Sequence, residues 1–203
     1  MLPFGERRAP RSLTGSPIHR VEGAADIDAA IGPYRRLVVV GADADLAAVL
    51  ARLLRAGRLD VEVAYVPRRR TRATRIYRVP AGRRAARRAR RGSARRVTLV
   101  RDETGSVIVG RAGWLPAVGR RLRGEAVVDD TVLFDGDART VDVEPTLAVP
   151  GLRARVGRRR WVAGRAVQLG STGVTVVRDG VPAARPARRS TFYRNVEGWL
   201  AVR

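Results

Sequence analysis

Hydrophobic and polar positions alternate with two different periods along this chain. Between Arg36 and Arg55 the sequence reads RLVVVGADADLAAVLARLLR. Leu37 to Val40 is a short run rich in β-branched residues and predicts a buried strand that ends at Gly41. Leu46, Val49, Leu50, Leu53 and Leu54 then recur at i, i+3, i+4, i+7 and i+8, which predicts a helix buried on one face. Asp43 or Asp45 is placed to cap it, and Gly57 to stop it. Asp60 to Val66 (DVEVAYV) predicts a second strand bounded by Pro67, so strand, helix and strand form a βαβ unit with parallel pairing. Upstream, Asp26 to Ile31 predicts a short helix ended by Pro33, and Met1 to Glu22, with Pro3, Pro10 and Pro17, reads as an irregular arm.

From Arg95 the period changes to two. Val97 to Val100 and Val107 to Val109 flank Asp102-Glu103-Thr104-Gly105, a hairpin signal. Short strands are predicted at Glu125–Val128, Thr131–Phe134, Thr140–Val143, Leu152–Val156, Arg165–Leu169, Val174–Arg178 and Thr191–Arg194. Turns are predicted at Asp135-Gly136, Gly151, Gly157, Gly170 to Gly173 and Asp179-Gly180. The fold class expected is α/β plus all-β: a small Rossmann-like α/β lobe followed by a β-sandwich-like lobe, with a cleft between them. The expected divisions are an arm over 1–23, the α/β lobe over 24–94 and the β lobe over 95–203.

Between the two textures lies Pro67 to Arg96, PRRRTRATRIYRVPAGRRAARRARRGSARR. Gly82 to Arg91 predicts a helix with Ala85, Ala86 and Ala89 as a thin apolar face. Its like-charged pairs at i, i+4 oppose the helix by a few tenths of a kcal/mol each, so it needs a docking surface or an anionic partner. The alternative for this run is a solvated basic face.

A chain of 203 residues with 45% apolar content can bury a core. The formal charge is +22, and all 41 basic residues are Arg. Coding bias in a GC-rich genome accounts for Arg in place of Lys, but not for the net positive excess. That excess points to an anionic partner: a nucleotide, a phospholipid head group or nucleic acid. Cys is absent, which excludes a disulfide framework, a thiolate metal site and a cysteine nucleophile. His19 is the single histidine and sits in the polar arm, where a solvated loop histidine is expected and a Ser-His-Asp site is not. No apolar run approaches the about 18 residues of a membrane span, and no signal peptide is recognisable. A cytoplasmic protein is expected, with peripheral membrane contact open to it through anionic head groups.

Other constellations are weaker. Asp129, Asp130, Asp135 and Asp137 resemble a carboxylate metal set, but they fall where hairpin turns are expected and Asp favours turns for its own backbone bonds. Trp114, Trp161 and Trp199 are expected in packing rather than ligand stacking. Ser171-Thr172 between Gly170 and Gly173 has no Gly-Lys-Ser/Thr and is not a P-loop. Only Tyr65 and Tyr77 stand near the basic run, so a stacking platform for single-stranded nucleic acid is largely missing.

A strand, a tight turn and a helix N-terminus are the parts of a phosphate-binding unit. Here the pattern resembles the diacylglycerol kinases and related bacterial lipid kinases, collinearly over about Ala24 to Val202. VVVGADADL (Val38–Leu46) stands where that family has a strand and a GGDGT turn. VAYVPRRRT (Val63–Thr71) stands where it has a strand, a Pro and a GTGN loop. RRVTLVRDETGSVIVGRAG (Arg95–Gly113) resembles the crossing into its second lobe, VVRDGVPA (Val176–Ala183) its DGE turn, and FYRNVEGWLAV (Phe192–Val202) its closing strands.

The resemblance implies ATP and magnesium as cofactors and phosphoryl transfer to a lipid hydroxyl. It implies Gly41, Asp43 and Thr71 at the nucleotide, with Arg69, Arg70 and Arg72 as anion-binding residues. The departures are specific. Ala42 and Ala44 replace glycines; at left-handed positions each would cost roughly 1–2 kcal/mol. Asp45 replaces a threonine, and about 5 Å from a phosphate at an effective dielectric of ~20 it opposes the phosphate by roughly 3 kcal/mol. Arg69, Arg70 and Arg72 stand in the second glycine loop, Val181 stands where a carboxylate is expected, and Met1 to Ala24 holds no opening strand with Asn-Pro-x-Ser-Gly. Phosphoryl transfer is mostly positioning and charge neutralisation. The expected protein is therefore a degenerate, inactive member that binds an anion, nucleotide or lipid head group. The alternatives are an active ATP-dependent lipid kinase with Asp43 and Asp45 holding magnesium, and a basic nucleic-acid-binding protein.

Overall fold

The computed structural model describes residues 1–6, 10–32 and 34–203. Pro33, expected to end the first helix, lies outside the described residues. The chain divides into two compact units, Met1–Val97 with Glu197–Arg203, and Thr98–Val196.

In chain order the first unit contains β1 (Leu2–Pro3), α1 (Ala24–Ile31), β2 (Arg36–Val40), α2 (Asp43–Arg55), β3 (Glu62–Tyr65), α3 (Arg72–Ile76), α4 (Gly82–Arg91) and β4 (Ala94–Val97). Trp199–Val202 returns to this unit as a strand between β3 and β4, parallel to the first and antiparallel to the second. β2 and β3 pair in parallel with Val38 opposite Ala64, as the βαβ reading requires. Leu46, Val49, Leu50 and Leu53 are fully buried on one face of α2. Each such side chain stabilises by about 1.5–3 kcal/mol on burial. Gly57, at φ +65, follows the helix, and the Arg58 amide bonds back to the Leu53 carbonyl.

The N-terminal segment differs from expectation. Leu2–Pro3 runs parallel to Val39–Val40, and Leu2 is fully buried, so an opening strand exists. A two-residue strand leaves no period to read, and its burial comes from the neighbouring strand. Residues Arg11–Leu13 form one 3-10 turn whose Leu13 is buried against the α4 side of the sheet.

α4 spans the predicted residues, Gly82–Arg91. Its Ala85, Ala86 and Ala89 are buried in a cluster with Val38, Val40, Ala64 and Val66. The sheet is the docking surface that its charge density demands. Arg36 secures the far end: its guanidinium donates to the carbonyls of Ala89 (3.0 Å) and Gly92 (2.9 Å) and pairs with Glu62 (2.6 Å). A cation on the last carbonyls opposes the negative end of the helix dipole.

The second unit is an antiparallel β structure of eleven strands between Val100 and Arg194. Its core holds Trp114, Phe192, Leu122, Val141, Leu152 and Val167. The hairpin after Val100 forms as expected, with the Gly105 amide bonded to the Asp102 carbonyl. Two expected turns are instead continuous strand. Asp135-Gly136 lies within Thr131–Ala138, and Gly170 to Gly173 lies within Ala166–Arg178. There Gly124 faces Ser171 across the ladder so closely that a Cβ on Gly124 would meet the neighbouring Gly170 carbonyl. Gly124 permits the close approach of the two strands, and the chain does not reverse at Gly170 to Gly173.

Candidate functional site

The ends of β1, β2 and β3 carry the turn that the sequence singled out. Gly41 is buried, Ala42 is extended (φ −93, ψ 178), and α2 starts at Asp43. The strain anticipated for Ala42 and Ala44 is absent, because Ala42 is extended and Ala44 is helical, conformations any residue adopts. What fills the turn is a side chain. Asp45, third residue of α2, folds back so that its Oδ2 accepts the Ala42 amide at 2.6 Å. A Cβ on Gly41 would stand 2.5 Å from that same oxygen, so the missing side chain of Gly41 makes room for this carboxylate. The positive end of the α2 dipole is thus neutralised by the chain itself.

Asp43 plays the same part toward the next helix. Its Oδ1 accepts the Tyr65 hydroxyl at 2.8 Å and its Oδ2 accepts the Ala73 amide in the first turn of α3 at 3.1 Å. Thr71 caps α3, its Oγ1 accepting the Thr74 amide at 3.2 Å while the Thr74 hydroxyl returns to the Thr71 carbonyl. Tyr65 is buried, and its phenol is pushed far above its ordinary range, first by burial and then by the adjacent Asp43 carboxylate. Tyr65 is the residue that sequence reasoning missed here. Its signal was a phenol hydroxyl in the apolar second half of DVEVAYV, which a buried strand must pair.

The structure therefore brings Asp43 and Thr71 together at the start of α3 and sets Gly41 against Asp45 at the start of α2. It disperses the three arginines. Arg69 and Arg70 are exposed, and Arg72 is half-buried in the first turn of α3.

Two cavities flank these elements. The first, about 1000 Å³, opens at the carboxyl ends of the parallel strands, between Phe4, Val40 and Val66, with Asp45, Arg68 and Arg83 on its walls. Ligands of open α/β sheets sit at that edge. The second, about 760 Å³, lies between α3 and α4 and takes in Arg70. Arg84, Arg87, Arg88 and Arg91 form one wall from a single face of α4, and Arg75 and Arg78 stand on the other. Four like-charged pairs at i, i+3 or i+4 on that face cost about 1–2 kcal/mol in sum. Arg78 sits at φ +54 after α3, where glycine would be favoured by roughly 1 kcal/mol.

The remaining candidates are structural. Asp129 (φ +49) turns the Leu122–Val128 and Thr131–Ala138 hairpin and accepts the amides of Arg165 and Ala166. Asp179 accepts the amides of Val109, Gly110 and Arg111 at 2.7–2.9 Å, binding two loops of the β unit. Trp114 is buried and donates to the Ser190 hydroxyl, and Trp199 packs edge-on against Tyr77. Trp161 is only half-buried and lies against the guanidinium groups of Arg153 and Arg155, each 4.4 Å from its ring centre. His19 bonds the Tyr34 hydroxyl at 3.0 Å. No described helix is long and apolar enough to cross a membrane.

No protein-family model matches the chain, and no curated protein sequence matches it. Solved structures do. A crystal structure described as a diacylglycerol kinase from Bacillus anthracis is similar at a TM-score of 0.75 and 12% identity, covering 99% of this chain and 95% of that one. An NAD kinase from Archaeoglobus fulgidus, in complex with ATP, is similar at 0.67 and 9% identity, covering 100% and 92%. A yeast NADH kinase complexed with NADH is similar at 0.55 and 12% identity, covering 91% and 65%. With its mixed α/β sheet followed by a large antiparallel one, the chain has the fold shared by diacylglycerol kinases and NAD kinases.

Proposed function

We propose that this protein binds a nucleotide, or another phosphate-bearing ligand with an organic body, at the carboxyl ends of β1–β3 and does not transfer phosphoryl groups. One observation carries the reading: the Asp45 carboxylate lies over Gly41 and accepts the Ala42 amide at 2.6 Å. A phosphate on that helix N-terminus would meet a fixed negative charge in place of free amides. At about 5 Å and an effective dielectric of ~20 the repulsion is roughly 3 kcal/mol per charge pair. The cavity beside it remains, with apolar walls at Phe4, Val40 and Val66 and cations at Arg68 and Arg83. Two neighbours of the same fold hold ATP and NADH, which supports a ligand of that class.

Magnesium, which the family resemblance implies, does not fit the carboxylates at the turn. Both oxygens of Asp43 and one of Asp45 accept hydrogen bonds from the chain's own donors. Magnesium demands an ordered octahedron of oxygens, so binding it here would break those bonds. Phosphoryl transfer without a neutralising metal and a phosphate cradle lacks both of its principal contributions.

The test has two arms on the full chain. Thermal melting is followed with ATP, NADH and the soluble head group glycerol 1-phosphate, and labelled ATP is incubated with diacylglycerol and magnesium. Stabilisation by at least one ligand with no labelled lipid above background is the expected result. Transfer to lipid overturns the non-catalytic half, and no stabilisation by any of the three overturns the binding half.

A further inference from the structure

We propose that the groove between α3 and α4 is a second anion site, built for a small molecule carrying several phosphate groups. It goes beyond the strand-end cavity and stands independently of it. The groove is concave, and its volume of about 760 Å³ suits a compact ligand. Arg84, Arg87, Arg88 and Arg91 recur at i, i+3, i+4 and i+7 and so share one helical face, while Arg75 and Arg78 face it from α3 and its C-terminal turn. Thr74, Val79 and Gly92 line it between them, and among the described residues no carboxylate or aromatic ring does.

Among the described residues none of the groove's arginines has an acidic partner within 4 Å. By contrast Arg36, Arg52, Arg58, Arg96, Arg111, Arg153, Arg155 and Arg178 are all paired. Coding bias enriches arginine everywhere; it does not by itself gather seven of them around one concavity with no carboxylate among its described lining residues. Arg78 adds a second, independent sign. It holds the left-handed conformation at φ +54, where glycine is ordinarily found, and it lines the groove. Nearby, the pKa of the Arg203 guanidinium is held below its ordinary value, first by burial and then by the charges of Arg95 and Arg78.

The shape of the site selects the class of ligand. One phosphate would leave most of these cations uncompensated, and Arg forks bind phosphate oxygens bidentately. Single-stranded RNA is disfavoured because no ring among the described residues lines the groove for a base to stack on. A bilayer presents a broad surface that a recessed groove does not match.

The experiment is calorimetric titration of the full chain with sodium tripolyphosphate. Saturable binding is expected, and Arg75→Gln with Arg88→Gln should weaken it by about tenfold or more, the loss of charge-assisted hydrogen bonds. Arg78→Gly, which keeps the left-handed backbone, should weaken it in the same direction with the fold intact. Arg120→Gln with Arg121→Gln removes the same charge from exposed residues of the other unit and should leave the affinity unchanged. Equal loss in both double variants would reduce the site to general electrostatics and overturn the proposal. So would an absence of saturable binding, or RNA or phosphatidylglycerol vesicles binding at the groove in a way tripolyphosphate does not displace.

Discussion

Replacing Asp45 by Thr puts the turn to its sharpest test, because it should act on stability and on ligand binding in opposite directions. Asp45 accepts the Ala42 amide at 2.6 Å and faces the dipole of a thirteen-residue helix. Loss of such a cap costs about 0.5–2 kcal/mol. Loss of a carboxylate in the first turn costs a further 0.3–1 kcal/mol or so at low salt. The variant should therefore be about 1–3 kcal/mol less stable. For a chain of this length that lowers the melting temperature by roughly 2–12 °C. Toward a phosphate the sign reverses. Removing a charge about 5 Å away relieves roughly 3 kcal/mol at an effective dielectric of ~20, so ATP affinity should rise by about two orders of magnitude. Melting curves with and without ATP read both effects in one series. A variant as stable as the parent, with no gain in ATP affinity, would refute the view that this carboxylate occupies a vacated anion position.

Three further outcomes follow from the same geometry. Gly41→Ala puts a Cβ within 2.5 Å of Asp45 Oδ2 and should destabilise by about 1–3 kcal/mol in urea unfolding, with most of that cost removed when Asp45 is also changed to Gly. Tyr65→Phe leaves Asp43 without its 2.8 Å donor and should cost about 1–3 kcal/mol. Its pH profile is diagnostic. Because the folded phenol titrates above its ordinary 10.0, the parent's stability is full below pH 10.0 and declines as pH rises past it. The Phe variant should lack that decline in alkaline denaturation, and an unchanged slope would refute the assignment. Arg36→Met removes the guanidinium from the Ala89 and Gly92 carbonyls and should destabilise by about 1–2 kcal/mol, with amide exchange in α4 accelerating relative to α2.

Much of the molecule was legible in its period. The β2–α2–β3 unit, the bounds of α4 and the change to strands after Arg95 follow from apolar spacing and from Gly and Pro, all local signals. The turn was legible as a place, and Asp45 as the acid that opposes a phosphate there, while the strain expected at Ala42 and Ala44 was misread. Ala42 and Ala44 looked like strained substitutes for glycine, yet both hold conformations any residue adopts, and what only the structure shows is Asp45 bending back over Gly41 to the Ala42 amide. The opening strand escaped notice because Leu2–Pro3 is too short to show alternation and exists only by pairing with Val39–Val40. Gly170 to Gly173 read as a reversal because sequence records flexibility, while close approach to Gly124 depends on a strand far away in the chain.

The arginines mark the same division most clearly. Sequence determined their number, their helix and the three alanines that anchor it. Only the tertiary structure decided which of them converge, because helical spacing sets neighbours along one face but not what stands opposite. Arg75 and Arg78 reach the α4 face through the packing of two elements on one sheet. Charge becomes a site only where the chain folds it around a space.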